Sequence, residues 1–182
     1  PSPGTWNWAA DANQRWMLKA AVARGANRVV AFANSPPWWM TVSGSVTGST
    51  NGTSDNLKTT SEADFAMYLA TVISNLTVLD GVKFDFATPI NEPNSFWWKL
   101  GGGQEGCPMS AAQQARMVNA LTTELSARGL TPGIAASEDT DQQRTINSIS
   151  GYSASAQSNL ALVATHTYGA NNPTGVRGLA HS

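Results

Sequence analysis

Apolar positions along the chain alternate between two rhythms: spacings of three to four residues, and short unbroken runs. Positions 11–24 carry the helical spacing, with Trp16, Met17, Ala20, Ala21 and Val22 on one side, Asp11 placed to cap the start and Gly25 to end it. Arg28 to Ala33 is an apolar run of the kind that forms a buried strand, closed by Pro36 and Pro37. The stretch 41–60, rich in Gly, Ser, Thr and Asn, reads as a long loop, and loops of that length are functional or mobile. Helical spacing returns over Ser61 to Leu79, where Ser61 and Asp64 have the spacing of a capping box and Phe65, Tyr68, Leu69, Val72 and Ile73 form a buried stripe. Val82 to Ile90 is a second strand. Ser110 to Arg128 is a helix closed by Gly129, and Pro132 to Ala136 a third strand. A short helix over Asp141 to Ser150 and a strand over Leu160 to Thr165 follow, and the tail 176–182 opens a further helix.

Helix and strand thus alternate, with strands starting at positions 28, 82, 132 and 160. This rhythm predicts parallel strands covered by helices in one domain over residues 1–182. Each strand passes from apolar residues into polar and aromatic ones: Asn34 with Trp38, Asn91 with Glu92, Glu138 with Asp139, His166 with Tyr168. Parallel α/β folds bind ligands beyond the carboxyl ends of their strands. Chemistry at four strand ends predicts an α/β fold of the partial (β/α)8 TIM-barrel type. A doubly wound sheet is the alternative, but no Gly-x-Gly-x-x-Gly or phosphate loop follows any strand. Gly101 to Gly103 follow Leu100 rather than a strand and read as loop.

Composition narrows the partners. The chain has 182 residues, short of the roughly 250 of a whole TIM barrel. A hydrophobic share of 41% excludes a disordered chain. Charged residues make up 13% and net charge is -1, which argues against nucleic acid, whose phosphates call for a basic surface. No apolar run is long enough to span a membrane. Seven tryptophans include the pairs Trp6 and Trp8, Trp38 and Trp39, Trp97 and Trp98. Paired aromatics among polar loop residues suit sugars, whose C–H faces stack on rings; core packing is the competing explanation for any one of them. The single Cys107 cannot form an internal disulfide, so it is a buried thiol or pairs outside the chain. No metal-ligand spacing or cofactor motif is present in the sequence. Sequons at Asn51 and Asn75 lend slight support to secretion.

Asn91-Glu92-Pro93 is the strongest chemical signal. A glycosidase needs two carboxyl groups about the scissile bond, one to protonate the leaving oxygen. Glu92 directly follows a predicted buried strand, and Trp97 and Trp98 lie just beyond. A solvated loop glutamate is the bland alternative, and the placement argues against it.

Three stretches together resemble glycoside hydrolase family 30: Phe-Ala-Asn-Ser-Pro-Pro-Trp-Trp-Met at 32–40, Ala-Thr-Pro-Ile-Asn-Glu-Pro-Asn at 87–94, and His-Thr-Tyr-Gly at 166–169. Asp-Ala-Asn-Gln-Arg-Trp-Met-Leu at 11–18 and Glu-Pro-Asn-Ser-Phe-Trp-Trp at 92–98 make it most similar to the fungal-type endo-β-1,6-galactanases. The resemblance implies a retaining (β/α)8 enzyme, of which this chain supplies roughly strands three to six. It implies Glu92 as acid/base and Asn91 against the sugar 2-hydroxyl. It places Trp38 and Trp39 at the third strand's mouth, and His166 and Tyr168 at the sixth. Asn34, Trp97, Trp98, Glu138 and Asp139 complete the expected substrate contacts. The family's nucleophile, in a Ser-Glu-Tyr-type motif, has no match here, so the chain alone is expected to be inactive. Glu138 and Asp139 are the rival second carboxylates. The implied protein is secreted, monomeric at full length, free of metal and cofactor, and acts on a polysaccharide or oligosaccharide. An endo-β-1,6-glucanase or xylanase of the same family, and a non-catalytic carbohydrate-binding protein, are the alternatives.

Overall fold

A computed structural model describes residues 3–181; Ser182, the last position of the expected tail helix, lies outside them. The elements are α1 (Ala12–Ala23), β1 (Val30–Phe32), α2 (Glu62–Asp80), β2 (Phe86–Thr88), α3 (Ala111–Ala127), β3 (Gly133–Asp139), α4 (Gln142–Ser150), α5 (Ala154–Ser158), β4 (Leu160–Thr165) and α6 (Pro173–Ala180). The strands form one sheet in the order β1-β2-β3-β4, and every pairing is parallel. A doubly wound sheet reverses direction at a switch point, whereas a barrel adds each strand beside the last. The unreversed order is an arc of a (β/α) barrel.

One face of the sheet carries the core. Phe65, Ala66, Ala70 and Ile73 of α2 and Met117, Val118, Leu121 and Leu125 of α3 pack with Ala87, Ile134 and Ala136 of the strands, all buried. Burying a large side chain of this kind contributes about 1.5–3 kcal/mol. In β1 the alternation is clear: Ala31 packs toward this core while its neighbours Val30 and Phe32 are 43% and 46% exposed. The other sheet face, the interior side of a closed barrel, is thus open at β1.

Several local expectations change. The first two strands pair over three residues each, not over 28–33 and 82–90. The Val29 N–H donates to the Asp85 side chain at 2.9 Å instead of to a ladder carbonyl, and Pro89, just after β2, has no N–H to offer. In contrast, β3 extends beyond Ala136, because Ser137 and Asp139 pair with Ala164 and Thr165 of β4. Helix α5 was not expected; Ser153 caps it through the Ala156 N–H. The tail helix starts earlier than 176, at Pro173, with the Asn172 side chain as its cap. Neither Asp11 nor Ser61 makes a side-chain cap hydrogen bond. A 3-10 turn over Thr59–Ser61 leads into α2 instead.

Helix α1 buries none of its residues. Its expected apolar side is open, with Trp16 and Met17 each 62% exposed. What holds the helix is Leu18, packed against the core, and Arg15, whose Nε and Nη2 donate to Asp80 at the end of α2 at 2.7 and 2.9 Å.

Stretch 41–60 is a folded loop. The Val42 N–H donates to Asn56 O, the Lys58 N–H to Met40 O and the Asn56 N–H to Pro108 O. Thr41, Asn56 and Leu57 are fully buried or nearly so. The loop is also stitched to the segment after β2: Ser49 N–H donates to Trp98 O, Leu100 N–H to Ser49 O, and Gly106 N–H to Val46 O. Gly48 makes the stitch possible. It has φ of 133°, and a Cβ there would lie 2.0 Å from Trp98 O.

Candidate active site

Because the strands are parallel, their carboxyl ends share one edge. Asn34 follows β1 by two residues, Glu92 follows β2 by four, Glu138 is the next-to-last residue of β3, and His166 directly follows β4. Three of these meet. His166 Nδ1 is 2.8 Å from Glu92 Oε1, and His166 Nε2 is 3.3 Å from Glu138 Oε2. Glu92 is buried, 7% exposed.

The backbone enforces this meeting. Glu92 and Glu138 both have positive φ, 45° and 59°. Non-glycine residues held there cost on the order of 1–3 kcal/mol each, and such strain gathers at functional sites. The Glu92 N–H donates to the Glu138 carbonyl at 3.0 Å, and the His166 N–H donates to the Asp139 carbonyl at 2.9 Å. Thr88, at the end of β2, donates its hydroxyl to Glu138 Oε1 at 3.1 Å.

The other expected contacts divide by exposure. Trp38, Trp97 and Tyr168 are 51%, 45% and 79% exposed and offer ring faces at the rim. Phe96, not singled out in the sequence, is exposed beside them and meets Trp97 edge to face. Asn34 is half-buried. Trp39 stands edge-on to Trp38 and packs against the core; its indole nitrogen is buried without a hydrogen-bond partner. Asn91 is buried, and its Oδ1 also lacks a partner. Tyr168 meets His166 edge to face, with centroids 5.3 Å apart.

Two expected contacts are placed elsewhere. Trp98 is 2% exposed and presents no face for stacking; its indole N–H donates to the Glu92 carbonyl at 2.8 Å. Asp139 is fully buried. Its Oδ2 accepts from the Ser137 and Ser148 hydroxyls at 2.7 and 2.6 Å, and Ser148 in turn accepts from Asn94 Nδ2. Asp139 therefore ties β3 and α4 to the turn after Glu92. Sequence reasoning missed Thr88, Ser137 and Ser148. All are small hydroxyl residues beside strand ends, and only their partners distinguish them.

Cys107 is buried, and burial, with Asp55 nearby, pushes its thiol up to about 12. A cavity of about 410 Å³ borders the turn after Glu92 and is lined by Asn94, Ser95 and Arg144 among others, but not by Glu92, Glu138 or His166. Among the described residues, no group of three His, Cys, Asp or Glu is arranged to hold a metal ion. No helix among them is long and apolar enough to cross a membrane.

Acidic and aromatic side chains gathered at the carboxyl edge of consecutive parallel strands define the (β/α)8-barrel class. Residues 2–177 match the O-glycosyl hydrolase family 30 model, and the chain belongs to that family. It is 38% identical over 168 residues to an endo-beta-1,6-galactanase of Hypocrea rufa, an alignment that covers 92% of this chain and 35% of the relative. Over 53% of the chain it is 36% identical to an exo-beta-1,6-galactobiohydrolase of Bifidobacterium longum, 6% of whose length is covered. Among solved structures, the catalytic domain of GH30 xylanase C from Talaromyces cellulolyticus superposes with a TM-score of 0.75 at 25% identity, covering 92% of this chain and 39% of that one. A conserved exported protein from Bacteroides fragilis superposes with a TM-score of 0.71 at 33% identity, covering 77% and 28%. The chain thus spans about a third of the length of the galactanase it matches.

Proposed function

We propose that the whole protein is a secreted, retaining endo-β-1,6-galactanase in which Glu92 is the general acid and then the general base. The observation that carries this reading is the Glu92 carboxyl, buried at the strand edge and held through Oε1 by His166 at 2.8 Å. The identity to a galactanase across nearly the whole chain supports the substrate. The likeness to an exported bacterial protein supports secretion.

In the first step Glu92 gives its proton to the glycosidic oxygen while a carboxylate attacks the anomeric carbon. Water then cleaves the glycosyl-enzyme and returns a proton to Glu92. The attacking carboxylate belongs to the part of the protein outside this chain, and residues 1–182 are part of one catalytic barrel, roughly strands three to six. Asn91, next to Glu92 at the same strand edge, is the group for the sugar 2-hydroxyl. Trp38, Trp97 and Tyr168 supply stacking faces, and Asn34 a polar contact at the first of these strand ends.

In the full-length protein, Glu92→Gln should lower kcat/KM on β-1,6-galactan by about 10²–10⁴-fold, with unchanged circular dichroism. Intact hydrolysis by that variant would remove the acid/base assignment. Faster turnover of β-1,6-glucan or xylan would reassign the sugar and leave Glu92 in place. Tight binding of galactan without cleavage by the unmutated protein would make it a carbohydrate-binding protein.

A further inference from the structure

We infer that Glu138 is a positioning residue for proton transfer by Glu92, acting through His166 and not by contact with sugar. This deepens, and rests on, the acid/base reading of Glu92. Both imidazole nitrogens face a carboxyl group: Nδ1 is hydrogen-bonded to Glu92 Oε1 at 2.8 Å, and Nε2 lies 3.3 Å from Glu138 Oε2. Its backbone is pinned as well, through the Asp139 carbonyl. Carboxyl groups on both edges of the ring oppose its turning away from Glu92.

Both Glu138 carboxylate oxygens already have protein partners. Oε1 accepts from Thr88, and Oε2 faces His166. The side chain is 13% exposed. Glu92 differs. Its Oε1 is engaged by His166, but among the described residues Oε2 has no hydrogen-bond partner. Oε2 is therefore the atom that carries the transferable proton.

The proton count follows. With Nδ1–H donating to Oε1, the same hydrogen bond serves both forms of Glu92, as a carbonyl oxygen in the acid and as a carboxylate oxygen after transfer. The proton leaves Oε2 for the glycosidic oxygen, which takes the electron pair of the breaking bond to the anomeric carbon. In the second step water bonds to that carbon and returns a proton to Oε2. Were Nδ1 the acceptor, the Glu92 proton would sit on Oε1, directed at the ring and away from the substrate. An ionised Glu138 can only accept, so Nε2 carries hydrogen toward it; donation from Nδ1–H to Glu92 Oε1 at the same time requires a ring with hydrogen on both nitrogens, and Glu138 is the group that faces the second of them.

The test compares leaving groups in the full-length protein. A β-1,6-linked galacto-oligosaccharide needs a proton on its leaving oxygen; the 2,4-dinitrophenyl glycoside of the same sugar does not. Glu138→Gln should lower kcat/KM on the oligosaccharide by about 100-fold, the low end for general acid catalysis, and on the aryl glycoside at least about tenfold less. KM should change little. In the Glu92→Gln background the Glu138→Gln change should add no further loss. Equal losses on both substrates, a raised KM, or additive losses would overturn the inference. If Glu138→Gln does not fold, Thr88→Val reads the same contact: a smaller loss with the same leaving-group dependence is expected, and no such dependence overturns the inference. Full activity in Glu92→Gln would remove both readings, whereas loss at Glu92 with additive loss at Glu138 removes only this one.

Discussion

Trp98 is gripped on two sides. Its indole N–H holds the Glu92 carbonyl, and Gly106 lies so close to its ring that a Cβ would come within 2.1 Å of Cδ2 and 2.2 Å of Cε3. A rigid, buried indole has little room to yield. Gly106→Ala should therefore destabilise the protein by about 1–3 kcal/mol, as overpacking does, measured by urea unfolding. Because the displaced ring holds the backbone of Glu92, the proposed acid/base, kcat of the full-length protein on β-1,6-galactan should fall as well. The same residues show where sequence reading succeeds and where it stops. Glu92, Glu138 and His166 were recognisable because each follows or closes an apolar run, and such transitions mark strand ends. Asp139 also closes a strand, and Trp98 adjoins the exposed Trp97, yet neither presents its side chain at the rim. Their surroundings are set by other segments, Gly106 against the indole, Gly48 against the Trp98 carbonyl and Ser148 for the carboxylate. Local spacing carries no information about which segment folds over a residue.

Helix α1 illustrates the same limit for an element. Its position and ends matched the apolar spacing closely, but its buried face did not, because no described element covers Trp16 and Met17. Anchoring falls to Asp80, whose carboxyl is held below the ordinary carboxylate range by hydrogen bonds from Arg15 and then Lys19, against the opposing effect of burial. A carboxyl depressed in the folded state stabilises fully above its unfolded value of about 4 and loses that contribution as pH falls through the lower folded value. Asp80→Asn should accordingly melt at a lower temperature than the parent at neutral pH. The gap should close in acid, below the folded value; a gap that persists there would dissociate α1 anchoring from this ion pair. Between α2 and α3 a second pair works the same way. Burial raises the Glu62 carboxyl, but hydrogen bonds from Arg116 and Gln113 outweigh it and leave the group below its ordinary value.

At the scale of the molecule, the strand order β1-β2-β3-β4 was predictable in kind from the alternation of helix and strand. The lengths were not, since Asp85, Pro89 and the pairing of Ser137 and Asp139 with β4 decide where each ladder starts and stops. In these 182 residues β1 and β4 are the outer strands of the sheet, with Val30, Phe32 and Leu162 more than 40% exposed. Exposed apolar strand edges pair with other chains. The isolated chain is expected to self-associate as its concentration rises, seen by light scattering, and to show no turnover of galactan. Turnover by a monodisperse sample of residues 1–182 would overturn the proposal that the attacking carboxylate lies outside them.

The stitching of segment 41–60 to the segment after β2 has an engineering consequence. With Ser49 donating to the Trp98 carbonyl and accepting from the Leu100 N–H, and Gly48 threaded beneath that same carbonyl, neither loop has an independent shape to transplant. Anyone remodelling specificity on this scaffold would have to move the two as a single cassette, carrying the glycines along with the aromatics.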